Sequence, residues 1–172
     1  MQMKRTGPAD TGCPILRSLK YVGEPWAILI IRDALAGNTR FDEFQKNLNV
    51  APNILTARLK TLVEGGLMER RQYSERPPRD EYHLTRRGSD FRPVIQAMLA
   101  WGNRHLAPEG PSVLILNTET GEPADPVMVD GKTGRPLSDP IFAHASGPAA
   151  SDRIRRRYPS IAEFQQKDNQ SQ

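Results

Sequence analysis

A single cysteine, Cys13, occurs in 172 residues. It can make neither an intrachain disulfide nor a cysteine-based zinc site, so those staples are excluded and a reducing cytoplasm is the expected compartment. Long apolar runs are missing too. The longest, Trp26 to Ile31, falls far short of the roughly 20 residues that a membrane-spanning helix needs. The stretch up to Ile15 lacks the apolar core and small-residue cleavage site of a secretory signal, which predicts neither export nor membrane insertion. Hydrophobic residues make up only 37%, and 15 prolines and 13 glycines are spread unevenly, so part of the chain is expected outside the main core. One domain with an appendage suits this length better than two full domains.

Charge divides the chain. Residues 1–105 hold 17 Lys and Arg against 11 Asp and Glu, net +6; residues 106–152 hold 2 against 7, net −5; residues 153–172 hold 5 against 2, net +3. A basic front half favours a polyanionic partner, because phosphates reward clustered Lys and Arg. The expected organisation is a main domain over 1–106, a Pro/Gly-rich β-hairpin extension over 107–152 and a basic, then polar, tail over 153–172.

Apolar spacing predicts five helices and one hairpin. Pro14 opens the first helix, with Ile15, Leu16, Leu19 and Val22 at helical spacing before Gly23. Glu24-Pro25 opens a broadly apolar second helix that ends at Gly37, and Arg40 to Leu48 forms a third with Phe41, Phe44 and Leu48 on one stripe. After the turn Asn49-Val50-Ala51-Pro52, residues Asn53 to Glu64 form a fourth, with Leu55, Leu59 and Leu62 facing inward. The period then turns to alternation over Leu67 to Tyr73 and Arg79 to Leu84, around a tip at Ser74 to Pro78. Thr85 caps a fifth helix running to Trp101, with Pro93 early in it or kinking it. Beyond Ala107, Val113 to Leu116 and Val127 to Val129 read as small strands. The turn Thr120-Gly121-Glu122-Pro123 recurs thirteen positions later as Thr133-Gly134-Arg135-Pro136. Lys167 to Gln172 is expected to fray.

The fold class is therefore mainly α with a β-hairpin wing, a winged helix-turn-helix, plus a small irregular β-rich C-terminal extension. At about 100° per residue, Asn53, Thr56, Ala57 and Lys60 fall together on the side of the fourth helix opposite its leucines. Asn pairs with adenine, the Thr and Ala methyls touch thymine, and Lys reaches guanine or phosphate, so this face suits base readout as well as plain solvation. Arg76 and Arg79 flank Pro77-Pro78 at the hairpin tip, where stiffened cations suit phosphates or a minor groove. Arg58, at the border of the core face, is either a phosphate contact or an intramolecular partner.

These residues resemble the HxlR-type branch of the MarR-like winged-helix transcriptional regulators. The resemblance covers Cys13 to about Trp101. It rests on Cys13-Pro14, Pro25-Trp26, Arg40-Phe41-Asp42-Glu43-Phe44, Leu55-Thr56-Ala57-Arg58-Leu59-Lys60-Thr61-Leu62, Gly66-Leu67-Met68-Glu69-Arg70 and Tyr82-His83-Leu84-Thr85-Arg86-Arg87-Gly88. It implies a homodimer that packs terminal helices together and represses from a palindromic double-stranded DNA operator. Leu16, Leu19, Met98 and Trp101 are the expected dimer contacts. It also suggests that Cys13 senses an oxidant or electrophile, Lys4 and Arg5 adding positive potential, although simple packing at a helix start is the stronger reading of a Cys-Pro step. A small-molecule effector is the other expected regulator. The tail resembles an extension of longer members; without cysteine pairs it is expected to hold no metal.

Enzyme signatures are lacking, and no cofactor is expected. Gly131-Lys132-Thr133 would need a glycine five positions before Gly131 to be a phosphate loop, and Pro126 stands there. His83, His105 and His144 have neither metal spacing nor a nucleophile partner. Arg153, Arg155, Arg156 and Arg157 read as a solvated basic segment. The alternative to a DNA-binding regulator is a winged helix used for protein interaction.

Overall fold

The computed structural model describes residues 12–169, which form two compact units. One is Tyr21–Pro136; the other joins the chain up to Lys20 with Leu137 onward. Lys4 and Arg5 lie outside the described residues.

The helices form where the sequence predicts: α1 (Pro14–Val22), α2 (Pro25–Leu35), α3 (Phe41–Leu48) and α4 (Pro52–Glu64). Proline opens α2 and α4, where the missing N–H costs nothing. Asn49 closes α3 with φ 48° and ψ 44°, a left-handed conformation that Asn tolerates better than most side chains. That single residue reverses the chain between α3 and α4, and buried Val50 pins the turn to the core. The core of the Tyr21–Pro136 unit combines Ala27, Ile30 and Ile31 of α2, Phe44 and Leu48 of α3, and Leu55, Leu59 and Leu62 of α4. Each of the Ile, Leu and Phe side chains contributes about 1.5–3 kcal/mol on burial.

The hairpin pairs β1 (Met68–Glu75) with β2 (Pro78–Leu84), antiparallel, from Met68 opposite Leu84 out to Glu75 opposite Pro78. Pairing reaches further into the tip than the sequence predicts and leaves Arg76-Pro77 as the turn, with an irregularity between Gln72 and Ser74.

The predicted fifth helix is two helices, a short α5 (Arg86–Ser89) and α6 (Arg92–His105). Pro93 is the reason. It has no N–H to bond the carbonyl a turn earlier, so helix geometry restarts with proline in the first turn of α6. Thr85 caps α5 as predicted, its Oγ1 accepting from the Gly88 N–H at 3.1 Å. Past α6, the segments read as small strands meet their partners at single β-bridges, Leu116 with Pro123 and Val129 with Pro136.

The two recurrent corners share one backbone pattern. In the first, the Asn117 N–H bonds the Glu122 carbonyl at 2.9 Å and the Gly121 N–H bonds the Asn117 carbonyl at 2.8 Å. In the second, Asp130 with Arg135 and Gly134 with Asp130 repeat these bonds, both at 2.8 Å. Gly121 and Gly134 hold φ of 75° and 69°, which excludes most side chains there.

In the other unit, α7 (Asp152–Arg155) and α8 (Ile161–Asn169) follow a loop. The loop is closed by the Ser146 N–H on the Pro159 carbonyl at 2.8 Å and by Arg155 on the Ala150 carbonyl at 3.0 Å. Arg155 is thus a loop brace within the basic segment. Helix α8 runs through Asn169, and residues 170–172 of the stretch expected to fray lie outside the described residues. Among the described residues, no helix is long and apolar enough to cross a membrane.

Gly88 tests how tightly α5 is docked. A Cβ built on it would lie 2.0 Å from the Leu67 carbonyl oxygen, on backbone that cannot rotate away. Gly88→Ala is expected to cost about 1–3 kcal/mol, as overpacked cores do. Urea unfolding measures it, and an unchanged midpoint would contradict this packing.

Candidate nucleic-acid interface

Burial of Leu55, Leu59 and Leu62 fixes which way α4 is turned. Asn53, Thr56, Ala57 and Lys60 are all exposed, on the side away from those leucines. Thr56 spends its hydroxyl on its own helix, donating to the Pro52 carbonyl at 2.8 Å, so what it has left to offer is a methyl. Lys60 stands 3.8 Å from Glu64 with three-quarters of its side chain exposed, a pairing that water screens and a phosphate can displace. No side chain caps the N-terminus of α4. Arg58 differs from these four: it is half-buried, 3.5 Å from Glu24, and its Nε is buried without a partner. Of its two readings, this geometry matches the intramolecular one.

The wing is electrostatically graded. Near its base, Arg70 pairs with Asp80 and Arg71 with Glu69. The Asp80 bond holds the Arg70 guanidinium more firmly protonated, and burial pushes the Tyr82 phenol up. At the tip, Arg76 and Arg79 are exposed, and among the described residues neither has an acidic partner. The Arg70–Asp80 pair ties the two strands together, whereas Arg76 and Arg79 leave their charge at the tip. Ser74 Oγ donates to the Pro77 carbonyl at 2.9 Å and tightens the turn between them.

A residue overlooked in the sequence joins the two parts. Arg40 precedes α3, forms an antiparallel bridge with Glu81, and places its Nε 3.2 Å from the Glu81 carboxylate. Its guanidinium lies 4.9 Å from the Tyr73 ring centroid, within cation–π range. Beside it the Tyr82 N–H donates to the Thr39 carbonyl at 2.7 Å. The chain before α3 thus acts as a third edge of the wing. An open cleft of about 440 Å³ lies there, lined by Arg40, Phe41, Tyr73, Arg79 and Tyr82 among others. The motif Arg40-Phe41-Asp42-Glu43-Phe44 marks this region, but Glu81 lies 41 residues away and no local signal connects them.

Cys13 is half-buried directly before α1, and its carbonyl accepts from the Arg17 N–H at 3.1 Å. Leu19, Met98 and Trp101 are 51%, 48% and 57% exposed, whereas Leu16 is partly covered. His83 Nε2 lies 3.1 Å from Glu81. No group of three or more His, Cys, Asp or Glu side chains suited to a metal ion occurs among the described residues.

Comparison with known proteins matches residues 21–110 to the HxlR-like helix-turn-helix family. An HTH-type transcriptional regulator of Mycobacterium tuberculosis is 38% identical over 133 residues, 77% of this chain and 84% of that protein. The solved structure of a transcription-factor candidate from Pseudomonas aeruginosa is 50% identical, covers 84% of this chain and 99% of its own, and superposes with a TM-score of 0.63. The redox regulator HypR in its oxidised form is 30% identical over 54% of this chain and 97% of its own, with a TM-score of 0.50.

The start of α3 yields a pH prediction. Glu43 accepts the N–H groups of Arg40 and Thr39, each at 2.9 Å, and these bonds, Arg40 first, hold its carboxyl below the usual carboxylate range. A depressed carboxyl stabilises the fold above its unfolded value, near ~4.3, and loses that contribution as pH falls through the folded value. Glu43→Gln should therefore lower stability at pH 7, and the loss should shrink as pH falls through the folded value of the carboxyl. A loss that stays constant across an acid titration, by thermal unfolding, would contradict the assignment.

Proposed function

Because the chain belongs to the HxlR-like helix-turn-helix family of transcriptional regulators, we propose that it binds a palindromic operator as a homodimer and acts as a repressor. The observation that carries this reading is the pairing of a polar, exposed α4 face with a wing tip whose two arginines lack acidic partners. In it, residues 21–106 do the reading: α4 lies in a major groove with Asn53, Thr56, Ala57 and Lys60 toward base edges, while Arg76 and Arg79 grip the flanking backbone or minor groove. The uncapped positive end of α4 suits a phosphate. Arg58 braces α4 through Glu24 and adds to the positive field without direct contact.

The homodimer reading draws on apolar surface left uncovered on two helices, Leu19 of α1 and Val94, Met98 and Trp101 of α6. A twofold dimer presents two copies of α4 about 34 Å apart, one turn of DNA, and so calls for a palindrome. Repression follows when such an operator overlaps a promoter. This role puts the protein in the cytoplasm and asks no chemistry of it beyond binding.

Cys13 keeps packing as its stronger reading. The likeness to HypR, a redox regulator, supports the other: oxidation to a mixed disulfide with a small thiol, or a disulfide between subunits, at the start of a dimer helix. Diamide treatment of wild type and Cys13→Ser separates the two. Unchanged operator affinity with Cys13 verified as modified by mass spectrometry makes the residue structural.

Gel-shift titration against the chain's own upstream DNA tests the main reading. With ~6–10 phosphate contacts per dimer, affinity should fall ~10³–10⁵-fold between ~50 and ~200 mM salt. Lys60→Ala should cost ~1–3 kcal/mol and relax preference at one position per half-site, whereas Arg79→Ala should weaken all sequences alike. A flat salt response, or a wild-type monomer at micromolar concentration with full DNA binding, would overturn the corresponding part.

A further inference from the structure

Arg40 is held more closely than bracing the wing requires. Its Nε donates to one oxygen of the Glu81 carboxylate at 3.2 Å, and the other oxygen lies 3.1 Å from His83 Nε2. Its guanidinium also sits over the Tyr73 ring. Tyr73 is the residue left over where the hairpin register slips: Gln72 faces Asp80, Ser74 faces Arg79, and Tyr73 faces no residue of β2. A bulge of this kind re-aims a side chain, and here the ring supports the guanidinium. The wing is already joined to the start of α3 by backbone, through the Tyr82 N–H on the Thr39 carbonyl, and an ion pair as exposed as Arg40 with Glu81 adds little stability. About half of the Arg40 side chain is exposed, and among the described residues its two terminal nitrogens make no hydrogen bond. Arg79, without an acidic partner among those residues, lines the same open cleft.

We infer that Arg40 is a DNA-backbone contact, which with Arg79 takes one phosphate of the strand running between the groove read by α4 and the groove met by the wing tip. The inference rests on the DNA-binding reading above and adds a residue to it. Arg40 directly precedes α3, the first helix of the helix-turn-helix, and that helix is the one that crosses the backbone. The attraction is short-range. Asp42 and Asp80 line the cleft as well, Asp80 being bonded to Arg70, and Glu81 offsets the charge of Arg40. Cations and carboxylates nearly cancel, so the cleft does not draw an anion from a distance. What it offers is oriented donors: a guanidinium fixed beforehand at Nε and over a ring gives up little freedom when its terminal nitrogens bond a phosphate.

The test is ethylation interference on the chain's own upstream DNA, which maps the phosphates whose ethylation blocks binding, with gel-shift affinities measured beside it. Thermal unfolding of each full-length variant comes first. Arg40→Gln should bind at least about tenfold more weakly than wild type, the loss of one charge-assisted contact, and should no longer depend on one phosphate in each half-site that wild type requires. Arg79→Gln should relax the same phosphate. Glu81→Gln removes the brace and keeps the guanidinium, so it should lose less affinity and still depend on that phosphate. An interference pattern in Arg40→Gln that matches wild type overturns the proposal. So does a Glu81→Gln variant that loses the phosphate or as much affinity as Arg40→Gln, the result expected of a brace, and its loss of the phosphate decides the matter even where Arg40→Gln does not fold. Both results leave the DNA-binding reading standing. A wild type that binds no duplex overturns that reading as well.

Discussion

Leu55, Leu59 and Leu62 share one core with Ile30, Ile31 and Phe44, and that contact sets the orientation of everything else on α4. A helix with three sealed positions at i, i+4 and i+7 has no rotational freedom left. Its opposite side then projects outward without further instruction, and the chemistry of Asn53, Thr56, Ala57 and Lys60 follows from where the leucines are. Loss of one leucine would leave a cavity costing about 2–5 kcal/mol and would loosen the seat that orients the exposed face of α4.

The wing depends on a different interaction. A two-stranded hairpin is marginal by itself in water, and here the Thr39-Arg40 segment supplies the missing edge. Glu81 then bonds Arg40 and His83 together, placing two cations on one carboxylate when His83 is protonated. The start of α3 and the wing are joined at this point by backbone and side-chain bonds together.

Much of this was legible in the sequence because it is local. Proline at the starts of α1, α2 and α4, Gly23 and Gly37 after the first two helices, and the change of apolar period after Gly66 mark most of these elements. The break between α5 and α6 escaped because Pro93 permits both a kink and a restart, and apolar periodicity does not tell them apart. The polar face of α4 was legible from the leucine spacing alone. Arg40 was not, since its meaning lies in Glu81 and Tyr73, far along the chain. Arg58 was ambiguous for the same reason, its partner Glu24 belonging to another helix.

The two corners after α6 have a further consequence. Each closes its own backbone bonds and starts and ends beside its own bridge, Leu116 with Pro123 and Val129 with Pro136. Excision of Asn117 through Val129 would place Leu116 directly before Asp130 and leave one complete corner. That excision would remove Glu119, Glu122 and Asp125, the last with its Arg104 contact, so the length of the arm and its charge balance change together.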